Sequence, residues 1–199
     1  MKTKTLIMSI VILLIAISAK AQVKGTFKNV RDGKVYKTVK IGNQTWMAQN
    51  LAYKNTEGCW AYNNDVTKVK IYGYLYDWKS AKKAVPKGWH LPSDEELTTL
   101  ITYLGGIYVA GGKMKKIGTT NWKSPNAGAT NSSGFTALPG GYRDLHGKFY
   151  EMGELCYFWT STEISFTAAW YKYLGFDIKT VGKDKSDKTT GYSVRCIKD

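Results

Sequence analysis

Along residues 35–41, β-branched or aromatic residues alternate with lysines, and after Gly42-Asn43 the chain runs on through Gln44, Thr45, Trp46 and Met47. A period of two broken by turn-forming residues predicts a β-hairpin. Residues 52–70 read as a polar loop. Over 72–84 the spacing becomes helical, with Leu75, Trp78 and Ala81 on one side and Pro86 as the stop. The strongest local signal follows at Ser93-Asp94-Glu95-Glu96, a capping box whose acids lie at the positive end of a helix dipole. Leu97, Leu100, Ile101 and Leu104 then recur on one helical face, and Gly105-Gly106 ends it. A shorter turn of helix is expected within 108–117.

Residues 118–138 are rich in Gly, Asn, Ser and Thr and lack periodicity, which predicts a long irregular loop of the kind that often carries function. Strands are expected over 138–144, 149–152, 155–161, 169–177 and 192–197, with the lysine-rich stretch 179–188 as an exposed turn. The class is therefore α+β, with two helices packed on small antiparallel sheets and one long irregular loop.

Residues 1–21 have the composition of a secretory signal peptide. Lys2 and Lys4 precede an aliphatic run of about a dozen residues, short of the roughly 20 that span a bilayer, and Ala19-Lys20-Ala21 is a small-x-small cleavage pattern. The remainder, 22–199, suits one domain, exported to the periplasm, cell surface or medium, with no membrane span after cleavage. Without Lys2, Lys4 and Lys20 it has 26 basic and 15 acidic residues. Such charge favours anionic partners by long-range attraction, although lysines scattered along a chain also serve simply as solvated surface. No specific nucleic-acid recognition is expected.

Five blocks in one order resemble the exported bacterial family called the Fibrobacter succinogenes major paralogous domain. They are residues 41–51 (IGNQTWMAQNL), 88–97 (GWHLPSDEEL), 131–143 (NSSGFTALPGGYR), 158–163 (FWTSTE) and 192–196 (YSVRC). The resemblance implies a fold similar to C-type lectins and to formylglycine-generating enzymes, and an exported or surface role. Members often carry a cysteine just before the proline that precedes the block at 88–97, here Pro86, where this chain has Val85, so the resemblance implies that a usual partner for Cys196 is replaced.

The chemistry in the sequence is sparse. Calcium needs roughly six to eight oxygen ligands, yet residues 97–143 contain no Asp or Glu and include Lys113, Lys115, Lys116, Lys123 and Arg143. Cys59, Cys156 and Cys196 would enter an oxidising compartment, where any of three pairings is open. A Cys156–Cys196 disulfide would follow if adjacent strands brought the two together, and a formylglycine-type copper site would need two close thiols. His90 and His146 have no evident nucleophile beside them, and Glu151, Glu154 and Glu163 would need a cleft to act as a glycosidase pair. No catalytic set, metal or cofactor is therefore expected. The reading is a non-enzymatic binding or surface module for a glycan or other anionic envelope polymer, with Trp122, Asn126, Asn131, Tyr142 and Arg143 as the ligand surface. The alternatives are a formylglycine-generating-type oxidase and a purely structural surface protein.

Overall fold

The computed structural model describes residues 22–199, so the leader expected over 1–21 lies outside the described residues. The described chain opens with β1 (Lys24–Lys28), which no sequence pattern announced. The anticipated hairpin follows as β2 (Val35–Ile41) and β3 (Gln44–Met47), turned by Gly42 at φ +60°. In β2, Tyr36, Thr38, Val39 and Ile41 are buried while Val35, Lys37 and Lys40 are exposed. The segment expected as a polar loop holds β4 (Cys59–Trp60) and α1 (Val69–Tyr72). Gly73 at φ +74° then turns the chain out of α1 and into β5 (Leu75–Tyr76). The helix expected from residue 72 consequently starts later, as α2 (Trp78–Ala84), where the Asp77 carboxylate caps it by accepting from the Ser80 amide at 2.6 Å.

After β6 (Trp89–His90), the capping box opens α3 (Asp94–Tyr103) as the sequence predicts. The Glu96 amide donates to Ser93 Oγ at 3.1 Å, and the Ser93 amide donates to the Glu96 carboxylate at 2.8 Å. Leu97, Leu100, Ile101 and Leu104 are buried together, and left-handed Gly105 and Gly106 redirect the chain into α4 (Ile107–Met114). Residues 118–138 form no helix or strand. The C-terminal third supplies β7 (Gly140–Arg143), β8 (Phe149–Met152), β9 (Leu155–Glu163), β10 (Ala168–Gly175), β11 (Gly182–Asp187), β12 (Tyr192–Ser193) and β13 (Ile197–Lys198). β11 corrects the expected exposed turn: it pairs antiparallel with β10, setting Asp184 opposite Tyr171 and Gly182 opposite Tyr173. Its polar, lysine-rich composition is that of a guarded edge strand, which imitates a loop in sequence.

The strands form two sheets, one in the order β1-β2-β3-β13-β6 and the other in the order β11-β10-β9-β12-β5-β4, with the β7–β8 hairpin joined to β9. The class is α+β. β9 divides the interior: Cys156 and Phe158 point into a cluster with α3, α4 and Trp122, while Tyr157 and Trp159 point into a second cluster with α2, Tyr76 and Cys196. This alternation explains why the expected Cys156–Cys196 disulfide is not formed. The two thiols belong to different clusters, and Cys59, Cys156 and Cys196 are all free. Val85 packs against the cluster that contains Cys196, in the place where the family resemblance implies a cysteine.

Candidate functional site

The five residues expected to form a ligand surface do not come together as one. Trp122 is fully buried, and its indole N–H donates to the Ala137 carbonyl at 3.1 Å. Asn126 is buried too, and its amide donates to the carbonyls of Lys116 and Gly118 at 2.9 and 2.8 Å. Asn131, left-handed at φ +47°, accepts from the Thr136 amide at 2.9 Å. Trp122 and Asn126 shape the irregular segment from within, as buried polar groups with paired donors do, and Asn131 is half-buried beside Thr136. Arg143 lies with its guanidinium 4.0 Å over the Trp60 ring. Tyr142 alone stands on a broad half-exposed surface.

That surface is a face of tyrosines. Alternation on paired strands fixes it: Tyr142 is opposite Tyr150, Tyr157 is opposite Tyr173, and Trp159 is opposite Tyr171. One edge of β9 is shared between β7, which pairs at Cys156, and β12, which pairs at Phe158. Tyr142 and Tyr192 are thereby set side by side against Tyr157, with ring centroids at 5.3 and 4.9 Å from it. The contacts continue from Tyr150 to Tyr142 at 5.4 Å and from Tyr157 to Tyr171 at 5.5 Å. Tyr157 and Tyr192 are buried as the floor, whereas Tyr142, Tyr150, Tyr171 and Tyr173 keep part of their rings in solvent. Each such pair adds about 0.5–1.5 kcal/mol beyond area burial, which favours this arrangement of the rings.

Two features mark it as more than core. Glu151 holds φ +63° within β8, a conformation that side chains other than glycine seldom adopt. Strain of this kind is concentrated at functional sites. The Glu151 carboxylate accepts the Tyr157 hydroxyl. Burial, then this bond, pushes the Tyr157 phenol well above its usual range, so it remains a neutral donor. Tyr142 and Tyr171 are raised first by burial and then by carboxylates, Glu151 for the former and Asp184 for the latter. In addition, a Cβ at Gly182 would overlap the hydroxyl end of the Tyr173 ring, so this ring packs against bare backbone. Loop-centred reasoning named Tyr142 and missed the other tyrosines, although Tyr157-Phe158-Trp159 and Tyr171-Lys172-Tyr173 already carry the period of two that puts alternate residues of each strand on one face.

The residues of the alternative chemistries are dispersed. Cys156 and Cys196 are wholly buried, and burial pushes each thiol up to about 12, which does not fit a copper-holding thiolate pair. Glu154 pairs with Lys123 at 3.0 Å and Glu163 with Lys188 at 3.0 Å, so each carboxylate is held by a lysine. Among the described residues no three His, Cys, Asp or Glu side chains converge as metal ligands, and no helix is long and apolar enough to cross a membrane. A family model described as the Fibrobacter succinogenes major domain matches residues 39–198. No curated protein and no solved structure matches the chain.

Proposed function

We propose that this chain, which belongs to the Fibrobacter succinogenes major domain family, is an exported, non-enzymatic module that seats a glycan on its tyrosine face. The observation that carries the reading is the alignment of four partly exposed tyrosine rings on one sheet, locked by buried partners beneath them. Flat aromatic faces offer sugar rings a large, preordered apolar contact, and the phenol hydroxyls supply hydrogen bonds at its rim. Export is supported by the leader pattern of residues 1–21. A C-type-lectin-like arrangement is supported by the pairing of β3 with β13, which brings the N- and C-terminal strands into one sheet, and by the long irregular segment between helices and sheet. An anionic polymer is the weaker candidate here, because the charges beside the tyrosines are carboxylates.

The test is a binding screen of the purified protein against immobilised glycans, followed by titration of any hit with Tyr142→Ala and Tyr150→Ala. Each substitution is expected to weaken binding about five- to thirtyfold while the far-UV spectrum is unchanged, since a stacked ring contributes on the order of 1–2 kcal/mol. Failure to bind any neutral, amino or acidic glycan, or binding indifferent to both substitutions, sinks the proposal.

A further inference from the structure

The tyrosine face carries unneutralised acid in a chain that has 29 basic and 15 acidic residues. The paired registers direct Leu155, Tyr157 and Trp159 of β9, Tyr171 and Tyr173 of β10, and Gly182, Asp184 and Ser186 of β11 to this side. None of these is basic. Lys183 and Lys185 alternate to the opposite side, where Lys183 pairs with Asp94 at 2.8 Å and lies 4.0 Å over the Trp170 ring. Glu151 on β8 and Asp184 on β11 flank the rings from the two ends of the strand series, and both act electrostatically on the Tyr171 hydroxyl. Neither is in an ion pair among the described residues; Glu151 accepts a phenol and Asp184 accepts the Lys185 amide at 2.8 Å. The faces of aromatic rings attract cations, and unpaired carboxylates beside them add to that attraction.

We infer that the tyrosine face selects sugars bearing a protonated amine, with Glu151 and Asp184 as the groups that receive the ammonium; this rests on the glycan reading above. The sugar ring stacks on the exposed tyrosines while its ammonium meets ring faces and carboxylates. A uronic acid placed in the same way brings like charge to the carboxylates and is disfavoured.

The experiment titrates the purified protein with β-1,4-linked oligomers of glucosamine, N-acetylglucosamine, glucose and a uronic acid, at about pH 6 and low salt so that charge is least screened. The glucosamine oligomer is expected to bind about tenfold more tightly than the two neutral oligomers, and the uronic acid oligomer most weakly. Added salt should erase most of that margin. Asp184→Asn, on an exposed residue, should reduce the margin without affecting the fold, and Glu151→Gln should do the same where the protein still folds. Equal affinity for amino and neutral oligomers overturns this inference and leaves the glycan reading standing, as does a margin untouched by Asp184→Asn or a preference for uronic acid. Absence of binding to all four, with none in the wider screen, removes both.

Discussion

Arg195→Met tests what holds the irregular segment 118–138 to the rest of the domain. Arg195 is fully buried, and its guanidinium stands 4.3 Å from the Phe135 ring centroid and 5.4 Å from that of Phe158. Its terminal nitrogens donate to the carbonyls of Met47 at 3.1 Å and Phe135, and to Asn50 Oδ1 at 2.8 Å, with the Thr136 carbonyl at 3.4 Å. One side chain thus ties β3 to the end of the long loop. Methionine fills the volume of the stem but donates nothing. A buried acceptor left without a donor costs about 1–3 kcal/mol, and the three closest are at stake. Relief opposes this: burial pushes the arginine down to about 9, so removing the charge recovers part of a desolvation cost. Two of the three acceptors are main-chain atoms that cannot turn elsewhere without disturbing β3 or the loop, so the acceptor loss wins. The expected net destabilisation is about 3–5 kcal/mol, the loss at three buried neutral acceptors less that relief. In a domain of this size that lowers Tm by roughly 6–20 °C. Urea unfolding followed by tryptophan fluorescence measures it, with Arg195→Lys expected to fall between wild type and methionine because one nitrogen replaces two. A methionine variant within about 1 kcal/mol of wild type, or more stable than it, refutes the reasoning.

Three further outcomes follow from the geometry. Partial burial works against a charged His90, but hydrogen bonds to Asp199 at 2.7 Å and Glu96 at 2.8 Å outweigh it and raise its pKa. Its stabilisation is therefore full below about pH 6.5 and lost as pH rises through the elevated folded value. At 39% side-chain exposure it is worth less than about 1 kcal/mol, so the Tm gap between wild type and His90→Gln should be small at low pH and closed at alkaline pH; a gap independent of pH counts against it. Thiol titration should find Cys156 and Cys196 inert in the native protein and all three cysteines reactive in denaturant, whereas a single reactive thiol in denaturant would show a disulfide. Gly182→Ala forces a methyl into the Tyr173 ring and should cost about 1–3 kcal/mol and weaken glycan binding, so a variant that melts and binds like wild type shows that the ring moves freely.

What could be read from the sequence was local. The β2–β3 hairpin, the capping box of α3 and its leucine face depend on neighbours within a few residues, and the structure reproduces them. Where a distant partner decides, the reading failed. β1 and β11 are polar edge strands whose only signature is the strand each lies against, β2 and β10. Leu75 fits a helix by spacing, but positive-φ Gly73 and the Asp77 cap divide that segment between a strand and a helix. Trp122 and Asn126 were placed at the surface because their segment is irregular. Backbone without sheet or helix must still pair its polar groups, and here it does so around these buried side chains. The tyrosine face needed the register of five strands, which no local pattern contains.

Net charge and aromatic face also separate in a way that composition conceals. Several lysines are engaged: Lys115 donates to the carbonyls of Gly175 and Ile178, both at 2.7 Å, Lys113 to that of Leu104, and Lys172 pairs with Asp94 at 2.9 Å. Exposed Lys24, Lys28, Lys37 and Lys40 lie on β1 and β2, in the other sheet from the tyrosines, and β1 is an edge. Charge at an edge blocks the addition of a foreign strand, which is a sufficient physical reason for it. Attraction between exposed charges fades beyond about 10 Å at 0.1 M salt, so the lysines of one sheet contribute little at the face of the other. On the proposed glycan reading, a ligand at the tyrosines meets the carboxylates Glu151 and Asp184, whose sign is opposite to that of the whole chain.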